Sequence, residues 1–61
     1  MRRVDPPKPV EVRHDGTWHP GWLEAWRRDS DGWRAYVRYS VAVGMQHLLW
    51  VGADEVRLSA T

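Results

Sequence analysis

The residues with the most chemical capability in this chain are its aromatic rings and its arginines. The 61 residues include five Trp, two Tyr and no Phe, and Lys8 is the only lysine among nine basic residues. Each large ring carries about 150–250 Å² of surface, and a domain of this size buries only about 60% of the surface of its unfolded chain. Several rings are therefore expected to stay exposed, and exposed aromatic clusters are typical of contact sites.

The remaining polar residues do not form a catalytic or metal-binding pattern. The chain has no Cys, which removes a thiol nucleophile, a disulfide and a Cys-based zinc site. His14 and His19 are separated by a turn, and neither they nor His47 have an acidic or Cys partner at a recognised ligand spacing. No Ser lies in a pattern typical of a catalytic triad. We therefore expect a non-enzymatic protein without a metal or cofactor.

Charge and hydrophobicity argue against several classes of partner. The net charge of +1 gives no strong attraction to nucleic acid or anionic lipid. No stretch reaches the roughly 18 apolar residues of a membrane span, and residues 1–7 lack the apolar segment of a signal peptide. We expect a cytoplasmic protein of one domain, without a membrane partner. The excess of Arg over Lys is typical of a GC-rich genome and favours a bacterial source, although Arg also stacks well on aromatic rings.

The hydrophobic pattern predicts an all-β fold. Residues 1–8, rich in Pro, are expected to form an extended arm, and residues 9–59 a single barrel domain. From Pro9 onwards apolar residues alternate with polar ones, interrupted by Gly and Asp, as in short strands. Strands are predicted at residues 10–13, 18–27, 33–39, 45–51 and 56–58. Five short strands this close together predict a small, strongly bent antiparallel barrel.

The connections between these strands have their own signals. Asp15-Gly16 predicts a tight hairpin turn. Residues 28–32 are expected to form a five-residue hairpin loop, residues 40–44 a connection or a strand extension, and residues 52–55 a short turn, with one helical turn as an alternative. Pro20-Gly21 requires a bend or bulge, or places that part of the second strand at an edge.

The register of the second and third strands determines which side chains share a face. Only an even shift keeps like faces together, and the predicted pairs are Leu23 with Val37, Ala25 with Ala35 and Arg27 with Trp33. The predicted core is Leu23, Ala25, Ala35, Val37 and Tyr39, with Val10, Val12, Val56 and Leu58. The opposite face would place Trp22, Glu24 and Trp26 beside Arg38, Tyr36 and Arg34. An exposed Arg over Trp contributes about 0.5–1 kcal/mol.

Three segments resemble Tudor- and agenet-type modules. Residues 15–23 (DGTWHPGWL) are similar to the Gly-x-Trp-x-x-Gly-x-aliphatic hairpin that follows their first strand. Residues 36–39 (YVRY) resemble the third strand of these modules. Residues 50–57 (WVGADEVR) resemble their C-terminal part, where a short turn leads into the last strand. The resemblance implies a five-stranded Src-homology-3-like barrel. It also implies that Trp18, Tyr39 and Trp50 occupy the positions of an aromatic cage, which in eukaryotic members binds methylated Lys or Arg. Residues 40–46 lack the acidic side chains that such cages usually contain.

These observations predict a small binding module for a protein or peptide, including a second copy of the chain. The expected contact residues are Trp18, Trp22, Trp26, Arg34, Tyr36, Arg38, Tyr39 and Trp50. The alternative is a nucleic-acid-binding module that stacks bases on the same face. In that case Arg2, Arg3 and Lys8 of the arm would add phosphate contacts. For Trp18, Tyr39 and Trp50 a structural alternative is also open, in which they close the ends of the barrel.

Overall fold

A computed structural model describes residues 1–59 of the chain, which form an all-β fold of five antiparallel strands. The strands are β1 (Arg2–His14), β2 (Thr17–Asp29), β3 (Gly32–Ala42), β4 (Met45–Gly52) and β5 (Val56–Leu58), with a short 3-10 helix (Ala53–Glu55) before β5. They make one sheet in the order β4-β3-β2-β1-β5. The sheet is curled into a half-barrel. The predicted fold class is confirmed.

The β1–β2 hairpin has the tight turn predicted from Asp15-Gly16. His14 is opposite Thr17, and both turn residues have positive φ, 52° for Asp15 and 77° for Gly16. This is the turn geometry that suits the right-handed twist of two-residue hairpins. Pro20 pairs with β1 alone, because the pairing of β2 with β3 begins one residue later. The edge alternative for Pro20 is therefore correct.

The N-terminal segment is part of the sheet and not a separate arm. It is extended, as expected, but β1 already begins at Arg2, which lies opposite Trp26, while Arg3 lies opposite Ala25. The register shifts between Arg3 and Lys8, in the stretch whose prolines have no N–H to donate to a ladder. Residues 1–8 thus cover one side of β2.

A bulge at Glu24 changes the predicted pairing of β2 with β3. Leu23 is opposite Val37, as predicted, but the register shifts between Leu23 and Ala25. Beyond the shift Ala25 is opposite Tyr36, so the predicted pair of Ala25 with Ala35 is wrong. An extra residue in one strand reverses the faces of the residues that follow it.

The β2–β3 connection is also shorter than predicted. Asp29 is opposite Gly32, so two residues form the turn and the expected five-residue loop is wrong. As a result Arg28, not Arg27, is opposite Trp33, and Arg27 is opposite Arg34.

The core is small and aliphatic, and it lies on the concave side of the sheet. Its buried cluster is Val10, Val12, Leu23, Ala35, Val37 and Tyr39. Trp26 packs against this cluster, because the bulge turns it inward. Ala25 is buried outside the cluster. Val56 is only half-buried, and Leu58, predicted in the core, is 72% exposed on the short edge strand β5.

Candidate functional site

The convex side of the sheet carries a continuous strip of aromatic and charged side chains, which we call the outer face. It consists of Trp22, Glu24, Arg27, Arg34, Tyr36, Arg38 and Trp50. Trp22 alternates with the core residue Leu23 and lies opposite Arg38. At 45% exposure it offers the most accessible ring surface of the strip.

The middle of the outer face is formed by stacked rings. Tyr36 is opposite Trp50 on β4, and their ring centroids are 4.8 Å apart at an interplanar angle of 41°. The Arg27 guanidinium carbon lies 4.6 Å from the centroid of the Trp50 ring. The bulge at Glu24 makes this possible, because it directs Arg27 outward and Trp26 inward. The rings hold one another and the guanidinium in a fixed arrangement.

Carboxylates neutralise three arginines of the outer face, Arg27, Arg34 and Arg38. Arg38 Nε lies 3.3 Å from Glu24 Oε2. Arg34 Nε lies 3.1 Å from Asp29 Oδ2, and Arg34 Nη2 lies 3.0 Å from Asp31 Oδ2. Arg27 Nε also contacts Asp29, with its Oδ1 atom at 3.2 Å. Three cations thus face three carboxylates, namely Glu24 of the strip and Asp29 and Asp31 at the β2–β3 turn, and the charges of these six side chains balance.

Trp18 lies on a different part of the surface, above β1 and β5. The Arg57 guanidinium carbon is 4.1 Å from the Trp18 ring centroid, and that of Arg13 is 5.8 Å away. Arg13 donates two hydrogen bonds to Glu55, at 2.9 and 3.2 Å. These bonds lower the pKa of the Glu55 carboxyl and raise the pKa of Arg13. Trp18 of β2 therefore packs against arginines of both β1 and β5 and stabilises the contact between these strands.

Tyr39 closes one end of the core. It is 4% exposed, and its hydroxyl is 3.1 Å from His14 Nδ1. The His47 ring stacks on Tyr39 at 5.3 Å and on His14 at 5.4 Å, and His19 meets His14 edge-on at 6.1 Å. Burial raises the pKa of the Tyr39 phenol, and the charge of Asp15 adds to this effect. For Tyr39 the barrel-end alternative is correct.

The rings of His14 and His47 stack, and the ring of His19 meets that of His14 edge-on. No group of three or more potential metal ligands in residues 1–59 has an arrangement that would hold a metal ion. The sequence did not predict that these histidines meet, because they lie on β1, β2 and β4 and only the sheet brings them together.

Trp26 and Trp33 close the opposite end, beside the β2–β3 turn. Their centroids are 6.4 Å apart and their planes nearly perpendicular, at 88°. Together with Arg2 and Ala53 they line a shallow pocket of about 320 Å³, which we call the hairpin-end pocket. Trp33 is 47% exposed, and the Arg28 guanidinium carbon lies 5.9 Å from its ring centroid. Sequence reasoning missed Trp33 because the five-residue loop separated it from Arg28.

The structure brings together five of the eight expected contact residues. Those on the outer face are Trp22, Arg34, Tyr36, Arg38 and Trp50. Trp26 and Tyr39 face inward, and Trp18 lies apart. The combination of Trp18, Tyr39 and Trp50 implied by the resemblance does not form a cage within the described residues, since each ring packs against different neighbours.

Two further results concern membranes and relatives. Within residues 1–59, no helix has the length and apolar character required to cross a bilayer. Comparison of the chain with protein-family models, curated proteins and solved structures found no match.

Proposed function

We propose that this chain is a non-enzymatic binding module that contacts a protein or peptide partner through its outer face. The observation that carries the proposal is the combination of an exposed ring with balanced charge. Trp22 is 45% exposed beside the Arg38–Glu24 pair, and the other two outer-face arginines also have carboxylate partners. Trp and Arg in such a setting are enriched among residues that dominate binding energy at protein interfaces.

The balance of charge favours a protein over a nucleic acid at this face. Nucleic-acid affinity rests on cations that neutralise phosphates and release counterions. At Arg27, Arg34 and Arg38 a phosphate would have to displace Glu24, Asp29 or Asp31 and would be repelled by the freed carboxylate. A peptide that presents an apolar or aromatic side chain to Trp22, with polar groups toward the Arg38–Glu24 pair, meets no such cost.

The experiment selects peptides from a random library on the immobilised chain and measures their affinity for three proteins: wild type, Trp22→Ala and Trp33→Ala. The two variants are matched, because Trp22 is 45% and Trp33 47% exposed. We expect Trp22→Ala to weaken binding at least about 30-fold, the effect of losing an interface hot spot, and Trp33→Ala to leave it within about threefold. Affinity should change little with salt. Equal loss in both variants, or loss in Trp33→Ala alone, contradicts the proposal.

A second candidate function, binding of nucleic acid, is favoured by the hairpin-end pocket. Arg2 lines it and Arg28 lies over Trp33, and within residues 1–59 neither arginine forms an ion pair with a carboxylate. Free cations beside two rings are suited to a phosphate and a stacked base.

Tryptophan fluorescence distinguishes the two functions. Single-stranded DNA, duplex DNA and RNA are titrated at two salt concentrations into the same three proteins. Binding that falls steeply with salt, survives Trp22→Ala and is lost in Trp33→Ala would assign the nucleic-acid function to the hairpin-end pocket. The absence of any response would leave the protein-partner proposal as the one to pursue.

A further inference from the structure

The strand β4 forms one edge of the sheet and has none of the features that usually protect an edge. It is eight residues long, Met45–Gly52, and contains no Asp, Glu, Lys, Arg or Pro. Proteins commonly shield long edges with charges, prolines, bulges or a covering element, because the unpaired N–H and C=O groups otherwise bind another strand. The opposite edge, β5, has only three residues and carries the Arg57–Glu11 ion pair.

Three large apolar side chains of β4 are partly uncovered. Met45 is 55% exposed, Leu48 54% and Leu49 37%. The pairing of β4 with β3 is regular from Gln46 to Gly52, and its only irregularity, between Ser40 and Ala42 on β3, lies at the hairpin end. A regular edge of seven residues without a charged side chain of Asp, Glu, Lys or Arg is therefore available on the side away from β3.

We propose that β4 pairs antiparallel with β4 of a second copy of this chain, with Leu49 opposite Leu49 of the partner. Residues opposite each other must share a face, so a twofold arrangement of one strand with itself centres on a residue. Centring on Leu49 pairs the whole regular stretch, Gln46 opposite Gly52. It places Leu48 opposite the partner's Trp50 on the outer face. The two half-barrels then share one continuous sheet.

The partner strand is β4 of a second copy, because β4 is compatible with pairing to an identical strand. With no charged side chain on β4, self-pairing brings no like charges together, whereas a charged partner strand would find no counter-charge on β4. Within residues 1–59 the buried cluster contains only six residues, and the sequence has no Cys to form a disulfide. Domains this small commonly need a staple or oligomerisation to gain enough buried surface. A dimer supplies it by covering Leu48 and Leu49.

Sedimentation over a range of micromolar concentrations tests the proposal with a matched pair of variants. Leu48→Glu and Leu58→Glu introduce the same charge at the two edges. Leu48 is opposite Arg38 within its own chain, so a glutamate there is compatible with the fold, and Leu58 is 72% exposed. We expect a dimer for wild type and Leu58→Glu, and a monomer with a native far-ultraviolet circular dichroism spectrum for Leu48→Glu.

Single cysteines test the register, since the chain has none of its own. Opposite Cα atoms in an antiparallel pair are about 4.5–5.5 Å apart, within the range of a disulfide. Mild oxidation should crosslink Leu49→Cys into a dimer much faster than Leu48→Cys or Leu58→Cys. Faster crosslinking of Leu48→Cys would refute the proposed register.

Three other results would overturn the proposal. One is a wild-type chain that remains monomeric at all concentrations. Another is a dimer that persists in Leu48→Glu but dissociates in Leu58→Glu. The third is a dimer that dissociates in Trp22→Ala, because the copies would then meet through the outer face. Trp22 lies on β2 and does not contribute to the β4 edge. Failure of the β4 dimer therefore leaves the proposed partner binding at the outer face intact.

Discussion

The inward position of Trp26 and the outward position of Trp22 lead to opposite expectations for the same substitution. Trp26→Ala removes a ring that packs against the core, and Trp22→Ala removes one that is 45% exposed. Truncating a fully buried Trp costs about 3–5 kcal/mol. Since Trp26 is only half-buried, we expect a loss of about 2–3 kcal/mol. For Trp22 we expect about 1 kcal/mol or less.

Relative to the unfolding free energy of the whole domain, the loss expected for Trp26→Ala is large and that for Trp22→Ala is small. At about 0.05–0.15 kcal/mol per residue, a chain of this length has an unfolding free energy of about 3–9 kcal/mol. Trp26→Ala therefore removes about a fifth or more of this free energy and lowers the urea midpoint markedly, while Trp22→Ala leaves the midpoint close to that of wild type.

Urea unfolding followed by far-ultraviolet circular dichroism measures both variants without relying on the fluorescence of the rings being removed. The slope of the transition should stay unchanged, so that midpoints report stability. If Trp22→Ala is the more destabilising of the two, or if Trp26→Ala has no effect, then the reversal of faces at Glu24 is wrong and so is the outer face built on it.

Three further predictions concern stability and titration. Gly21→Ala should lower the free energy of unfolding by about 1–3 kcal/mol in urea, because a Cβ there would lie 2.7 Å from both the Arg38 carbonyl oxygen and Tyr39 Cβ. Arg13 stabilises the Glu55 carboxylate and so lowers the pKa of Glu55 in the folded state. Above the unfolded-state pKa of Glu, about 4.3, wild type should therefore have a higher melting temperature than Glu55→Gln. This difference should vanish as pH falls through the lower folded-state pKa of Glu55. The tyrosinate absorbance that Tyr39→Phe removes should appear only above pH of about 10, because burial raises the Tyr39 pKa. The stabilising contribution of the buried neutral phenol is present below that pH and is lost as pH rises through the folded-state pKa.

The β architecture followed from local patterns, which is why it could be predicted. Alternation of apolar residues depends only on which side of a strand faces the core, and Val10 and Val12 satisfied it directly. Asp15-Gly16 predicted its own turn, because few residues tolerate positive φ at both positions. The pairing of Leu23 with Val37 was correct because it lies before the bulge.

The bulge at Glu24 had no local signal, and it turned Trp26 inward and Arg27 outward. The residues around it alternate as in a regular strand, so parity alone placed Trp26 outside and Ala25 inside. Pro20-Gly21 marked a site of distortion, but the structure uses Gly21 for close approach of β3 and places the bulge three residues later. Whether a strand bulges is decided by how the closed sheet packs, which requires the third dimension.

Contacts between distant strands were also beyond sequence reasoning. Arg57 reaches Trp18 because β5 lies beside β1, and the stacking of Arg27 on Trp50 depends on both the bulge and the β3–β4 register. The sequence shows that such residues exist, but their pairing follows from strand order.

The most direct test of the outer face is an amide chemical-shift map of the isotope-labelled chain with a peptide selected on wild type. We expect the largest shifts to cluster at Trp22, Tyr36 and Arg38 and to include the Trp22 indole N–H, with Arg2 and Trp33 unaffected. Shifts concentrated at Arg2, Trp26 and Trp33 would contradict binding at the outer face and would place the partner in the hairpin-end pocket.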